Sequence, residues 1–68
     1  MSKLHAVWFN KSLFDKESSL QWLFEHKIDP IKKVHETTNN LKYRIRNPNK
    51  TKKYYSKYIT DGILFIFQ

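Results

Sequence analysis

Hydrophobic and polar residues alternate in several stretches of this chain and recur every three or four positions in one other. Those two periods predict its elements. Leu4, Ala6 and Trp8 fall on one side of a first strand, Leu4 to Phe9, and His5, Val7 and Phe9 fall on the other. Apolar groups on both faces mark it as a central strand. Asp15 is placed to accept a backbone N–H from Glu17 or Ser18 and so to start a helix of about Lys16 to Lys27. Leu20, Leu23, Phe24 and Ile28 form the predicted apolar stripe of that helix, with Trp22 off the stripe and His26 and Lys27 at its negative end. Asp29-Pro30 closes it, because the residue before a proline is pushed out of the helical region.

Ile31 to Glu36 reads as a second strand, and Thr37-Thr38-Asn39-Asn40 as a turn. Alternation is cleanest in Leu41 to Arg46, with Leu41, Tyr43 and Ile45 on one face and Lys42, Arg44 and Arg46 on the other. Tyr43 is therefore expected in the core. Asn47-Pro48-Asn49-Lys50 breaks this strand, Tyr54 to Thr60 resumes extended structure, and Asp61-Gly62 is a hairpin signal leading into a last strand, Ile63 to Phe67. The expected architecture is α+β: one domain spanning residues 1–68, ordered β-α-β-β-β-β, with one helix packed on a mostly antiparallel sheet.

Length and composition narrow the function. At 68 residues and 8.3 kDa the chain is too short for a dinucleotide fold or a barrel enzyme. It has no cysteine, which removes disulfides, thiolate zinc sites and thiol catalysis, and its one glycine removes a phosphate-cradling Gly-rich loop. Two Trp, five Phe and four Tyr supply the area that so small a core needs. The longest apolar run, Ile63 to Phe67, is far below a membrane span of about 20 residues. Met1-Ser2-Lys3-Leu4-His5 reads as a mature start without a leader, so an intracellular site (cytoplasm, nucleus or virion) is expected. The tripeptides Asn10-Lys11-Ser12 and Asn49-Lys50-Thr51 are then chance glycosylation patterns.

The net charge of +7 is concentrated. Thr37 to Thr60 holds Lys42, Arg44, Arg46, Lys50, Lys52, Lys53 and Lys57 with no acid. Residues 1–36 hold six lysines against five acids, and Asp61 is the only charge after them. Lys42, Arg44 and Arg46 project from one sheet face about 6.6–7 Å apart, close to the spacing of phosphates along a nucleic-acid strand. Tyr43, Tyr54, Tyr55 and Tyr58 are interleaved with these cations, and single-stranded nucleic acid uses rings beside cations for base stacking. One of the adjacent Tyr54 and Tyr55 should be exposed. The plainer meaning of a basic strand is a solvated outer face that discourages edge pairing.

Candidates for chemistry are few. His5, His26 and His35 fit no zinc spacing, and His26 is better placed to meet the helix C-terminus. Asp15 and Glu17 are explained by the helix start and Asp61 by the hairpin. A metal-free nuclease built from His35, Glu36 and Arg44 ranks last. No catalytic residue, cofactor or metal is expected. The apolar Ile63 to Phe67 strand has two apolar faces, and a single helix covers one face of a sheet. Self-association or docking on a larger protein is expected to cover the other.

Three segments carry a resemblance: Trp22-Leu23 followed by His26-Lys27, the strand Tyr43-Arg44-Ile45-Arg46-Asn47, and Gly62-Ile63 opening an apolar strand. Together they resemble small basic proteins and domains of uncharacterised function in large DNA viruses and tailed phages, over about Ala6 to Phe67. This chain departs from that pattern at Phe24-Glu25, and it lacks a glycine after His26. The resemblance implies a viral origin and a small α+β fold, and supplies no activity.

The expected function is binding of nucleic acid, DNA or RNA, with weak sequence preference. Lys42, Arg44 and Arg46 would contact phosphates, Lys50, Lys52, Lys53 and Lys57 would extend the footprint, and Tyr54 or Tyr55 would stack on bases. The alternative is a virion component or an inhibitor of a host protein. In that role the basic face would meet an acidic protein surface and the last strand would make the contact.

Overall fold

Seven residues, Leu4–Asn10, form the central strand β1, and the rest of the fold is built around it. A computed structural model describes residues 3–47 and 53–68. The other elements are α1 (Lys16–Glu25), β2 (His35–Glu36), β3 (Asn40–Arg44), β4 (Tyr55–Thr60) and β5 (Ile63–Phe67). The five strands make one sheet in the order β2-β3-β1-β5-β4, and every pairing is antiparallel. The protein is α+β, with the single helix among the described residues on one side of the sheet.

Register sorts the residues between the two sides. Val7 pairs with Tyr43 and Phe65, and Phe9 with Leu41 and Ile63. These residues face α1, where Val7, Phe9, Leu23, Leu41, Tyr43 and Ile63 form the buried core. The Phe9 ring meets Phe14, Trp22 and Tyr43 edge-on at centroid distances of 5.0, 5.7 and 5.6 Å, the arrangement aromatic quadrupoles favour.

Helix α1 begins as expected. The Ser18 N–H donates to Asp15 Oδ1 at 2.7 Å, and the Asp15 N–H donates to Ser18 Oγ at 3.0 Å, a reciprocal cap. The Ser18 N–H first, and its hydroxyl second, hold the Asp15 carboxyl below its ordinary pKa. The buried face differs from the predicted stripe. Ser19 and Leu23 are buried and Trp22 is half-buried, whereas Leu20 and Phe24 are exposed. Two contacts set this rotation. The small Ser19 lets the helix approach the sheet, where its Oγ donates to Lys16 O at 3.0 Å and accepts from the Tyr43 hydroxyl at 2.6 Å. Trp22 brings a larger apolar area than Leu20 and lies against Phe9 and Phe65.

The helix ends at Glu25, two residues short of the expected Lys27. His26 caps it, with Nδ1 donating to Trp22 O at 2.8 Å and its ring stacked 3.8 Å from the Trp22 ring. Lys27 then takes φ 57°, and N–H donations from Lys27 to Phe24 O and from Ile28 to Leu23 O complete a Schellman close. That φ is the left-handed region, which disfavours a side chain. Lys27→Gly is therefore expected to stabilise the fold by about 0.5–1 kcal/mol, read as a rise in urea midpoint at constant slope. A fall in midpoint would contradict this account.

The second strand is shorter than the sequence predicts. Ile31 N–H donates to Arg44 O at 2.8 Å, and pairing resumes only at His35 opposite Lys42. Between those points Lys32, Lys33 and Val34 stand against Tyr43 alone, so the ladder does not close. The strand expected to reach Arg46 stops at Arg44 because the Ile45 and Arg46 N–H groups both turn to His5 O, at 2.8 and 3.1 Å. His5 itself sits in a bulge of β1, between Leu4 and Ala6. At the other end of the sheet Gly62 has φ 80°, and a Cβ added there would come within 2.7 Å of Leu13 Cδ1. The last strand is internal, lying between β1 and β4.

Candidate functional site

The side of the sheet away from α1 has no layer over it among the described residues. Pairing lays two rows across it. His35, Lys42, Trp8, Leu64 and Tyr58 run from one edge strand to the other, one residue per strand. Beside them run Arg44, Ala6, Ile66 and Ser56. Strand spacing sets neighbours in a row about 4.8 Å apart, so cation, ring and aliphatic groups are interleaved on one surface.

A groove of about 800 Å³ lies on this side, lined by His35, Lys42 and Trp8 of the first row, by all of the second, and by His5, Lys32, Lys33, Tyr43, Tyr54 and Tyr55. Its lining holds the cations Lys32, Lys33, Lys42 and Arg44, two imidazoles and no acid. Lys42 Nζ stands 3.8 Å over the Trp8 ring centroid, a cation–π contact. Tyr54 lies against His5 with ring centroids 5.1 Å apart. His5 is only 7% exposed, and its Nδ1 has no hydrogen-bond partner among the described residues. Burial first, and the Arg44 charge second, hold its imidazole below the usual histidine pKa, so His5 is neutral at pH 7.

The residues singled out from sequence separate into groups. Lys42 and Arg44 share the open face, and Tyr54 joins them in the groove. Arg46 is exposed just past the end of β3, and Lys53 is exposed two residues before β4. Lys57 pairs with Phe65, which by register puts it on the helix side, whereas Tyr55, paired with Phe67 at the start of β4, also lines the groove. The surface expected for all these residues is thus smaller by Lys57, which strand alternation sends to the other side. Tyr54 and Tyr55 are both exposed, and both line the groove. Lys50 and Lys52 lie outside the described residues. Tyr43 is 1% exposed, a core residue.

Sequence reasoning missed Trp8, Lys32 and Lys33. Both lysines sit in the charge-balanced half of the chain and reach the groove because Ile31 ties their loop to Arg44. The alternation that predicts two apolar faces for the first strand was the available signal for Trp8. The acids lie elsewhere. Glu36 pairs with Leu41, on the helix side, and accepts from Lys11 Nζ at 2.8 Å and Lys16 Nζ at 3.0 Å. Those two hydrogen bonds, reinforced by both charges, hold its carboxyl down to about 2. His35, Glu36 and Arg44 therefore do not gather, since Glu36 leaves the face the other two occupy. Among the described residues, no helix is long and apolar enough to cross a membrane.

No protein-family model, curated protein or solved structure matches this chain.

Proposed function

We propose that this protein binds nucleic acid with weak sequence preference through the open face of its sheet. The observation that carries this reading is the groove, where Lys32, Lys33, Lys42 and Arg44 stand beside Trp8 and Tyr54 with no carboxylate among them. Each cation that meets a phosphate releases a condensed counterion, so binding is driven by the ionic atmosphere and is indifferent to base identity. A viral setting, as the motif resemblance implies, belongs to the same proposal.

Four phosphate contacts predict a slope of log affinity on log salt of about −2.8 to −3.6, hence a roughly 50- to 150-fold loss between 50 and 200 mM salt. Anisotropy of a labelled oligonucleotide measures this. Lys42→Ala with Arg44→Ala should flatten the slope by about 1.5–2, while Lys57→Ala, on the helix side, should leave it near the wild-type value. A flat salt response in the parent protein would overturn the reading, and so would equal damage from Lys57→Ala.

One observation favours the protein-interaction alternative. Strand β4 is an outer edge, and all six of its residues are exposed. Lys57 at its middle opposes pairing with a second copy, because like charges would meet there.

A further inference from the structure

We infer that the nucleic acid this face takes is single-stranded, with one nucleotide held jointly by Trp8, which stacks on its base, and Lys42, which leaves the indole to meet its phosphate. The inference rests on the nucleic-acid reading above and narrows it. Trp8 lies at the middle of the row that crosses all five strands, and its ring face already carries the Lys42 ammonium at 3.8 Å. A nucleobase seeks that same ring face. Stacking of a base on the indole is at least as strong a contact as the half-buried Lys42 ammonium makes there, so a base can take its place. The exchange strands nothing. Lys42 neighbours Trp8 across the β1–β3 pairing, and its flexible stem lets the ammonium move from the ring to the phosphate of the incoming nucleotide. Tyr54, 54% exposed over His5, is a second ring in the same groove, with Arg44 also lining it.

A duplex could use little of this. Its base faces are covered by their neighbours, and reading its major groove takes a protruding helix or ribbon. The one helix here lies behind the sheet, and its outward face shows Leu20 and Phe24 with no basic residue in its last turn. The rings on the open face serve an unpaired strand whose bases can be splayed onto them.

The test compares a labelled thymidine oligomer of about 15 nucleotides with a hairpin duplex of equal phosphate count, using the full-length protein at one salt concentration. The single strand should bind at least about tenfold more tightly. Trp8→Ala should weaken single-strand binding about 5- to 150-fold and leave duplex binding nearly unchanged. Trp8→Phe, which keeps a ring, and Trp8→Leu, which keeps apolar bulk, guard against misfolding. Phenylalanine should retain most of the affinity and leucine should lose it, with both variants matching the parent far-UV circular dichroism spectrum. Equal affinity for both probes, or Trp8→Leu binding as the parent does, overturns the inference even where the salt slope and its dependence on Lys42 and Arg44 persist. Absence of salt-dependent binding to either probe overturns the nucleic-acid reading itself.

Discussion

Phe9→Ala is expected to cost about 3–5 kcal/mol and to leave much of the protein unfolded in buffer. The ring is fully buried, in the middle strand of the sheet, with edge contacts to Phe14, Trp22 and Tyr43. Its removal breaks the contact between the chain segment leading into the helix, the helix itself and β3 at a single point. A domain of this length has a total stability of only about 3–10 kcal/mol, so the loss is comparable to the whole. Urea denaturation followed by circular dichroism reads it directly. A shift below about 1 kcal/mol would mean that the three neighbouring rings close the gap, and that Phe9 is not the hub described here.

The second large effect is less obvious from composition. Ser19→Leu adds a hydrophobic residue to an amphipathic helix, yet it is expected to destabilise by about 2–5 kcal/mol. Ser19 is fully buried where the helix touches the sheet, so the added carbons have no space, and the buried Tyr43 hydroxyl loses its partner. Phe24→Lys is the matched control. Phe24 is 80% exposed, and replacing it should change stability by no more than about 0.5 kcal/mol. The hydropathy stripe of the sequence orders the two the other way. Thermal melts of both variants therefore decide which face of the helix is buried, and a severe loss in Phe24→Lys with none in Ser19→Leu would reverse the assignment.

That contrast marks what was legible in the sequence. Strand alternation was read well where one face was uniformly apolar: Leu41 and Tyr43 are buried, and Lys42 and Arg44 leave on the other side. Local chemistry was equally plain. Asp15 has a hydrogen-bonding partner three residues on, and Gly62 supplies the positive φ its turn needs. The phase of the helix was not plain, because Ser19 earns its place through a hydroxyl partner on a distant strand and Trp22 through two rings across the sheet. The site divided in the same way. Lys42 and Arg44 follow from a period of two, but Lys32 and Lys33 arrive through one long-range backbone bond, and no local pattern reports it. Lys57 fell into the charged segment by position in the chain, and only the register with Phe65 puts it behind the sheet.

The placement of Glu36 has an effect beyond the two ion pairs it makes. With Asp15, Glu17 and Glu25 belonging to the helix layer and Glu36 pinned on the same side, the lysines and arginine of the groove face the opposite way. Lys11, Lys16 and Lys57 offset those acids on the helix side, so the excess positive charge lies on the open face and gives the molecule an electric dipole along the sheet normal. In the field of a polyanion such a dipole feels a torque at distances of a Debye length, about 8–10 Å, so that encounters are turned toward the productive orientation before any side chain touches.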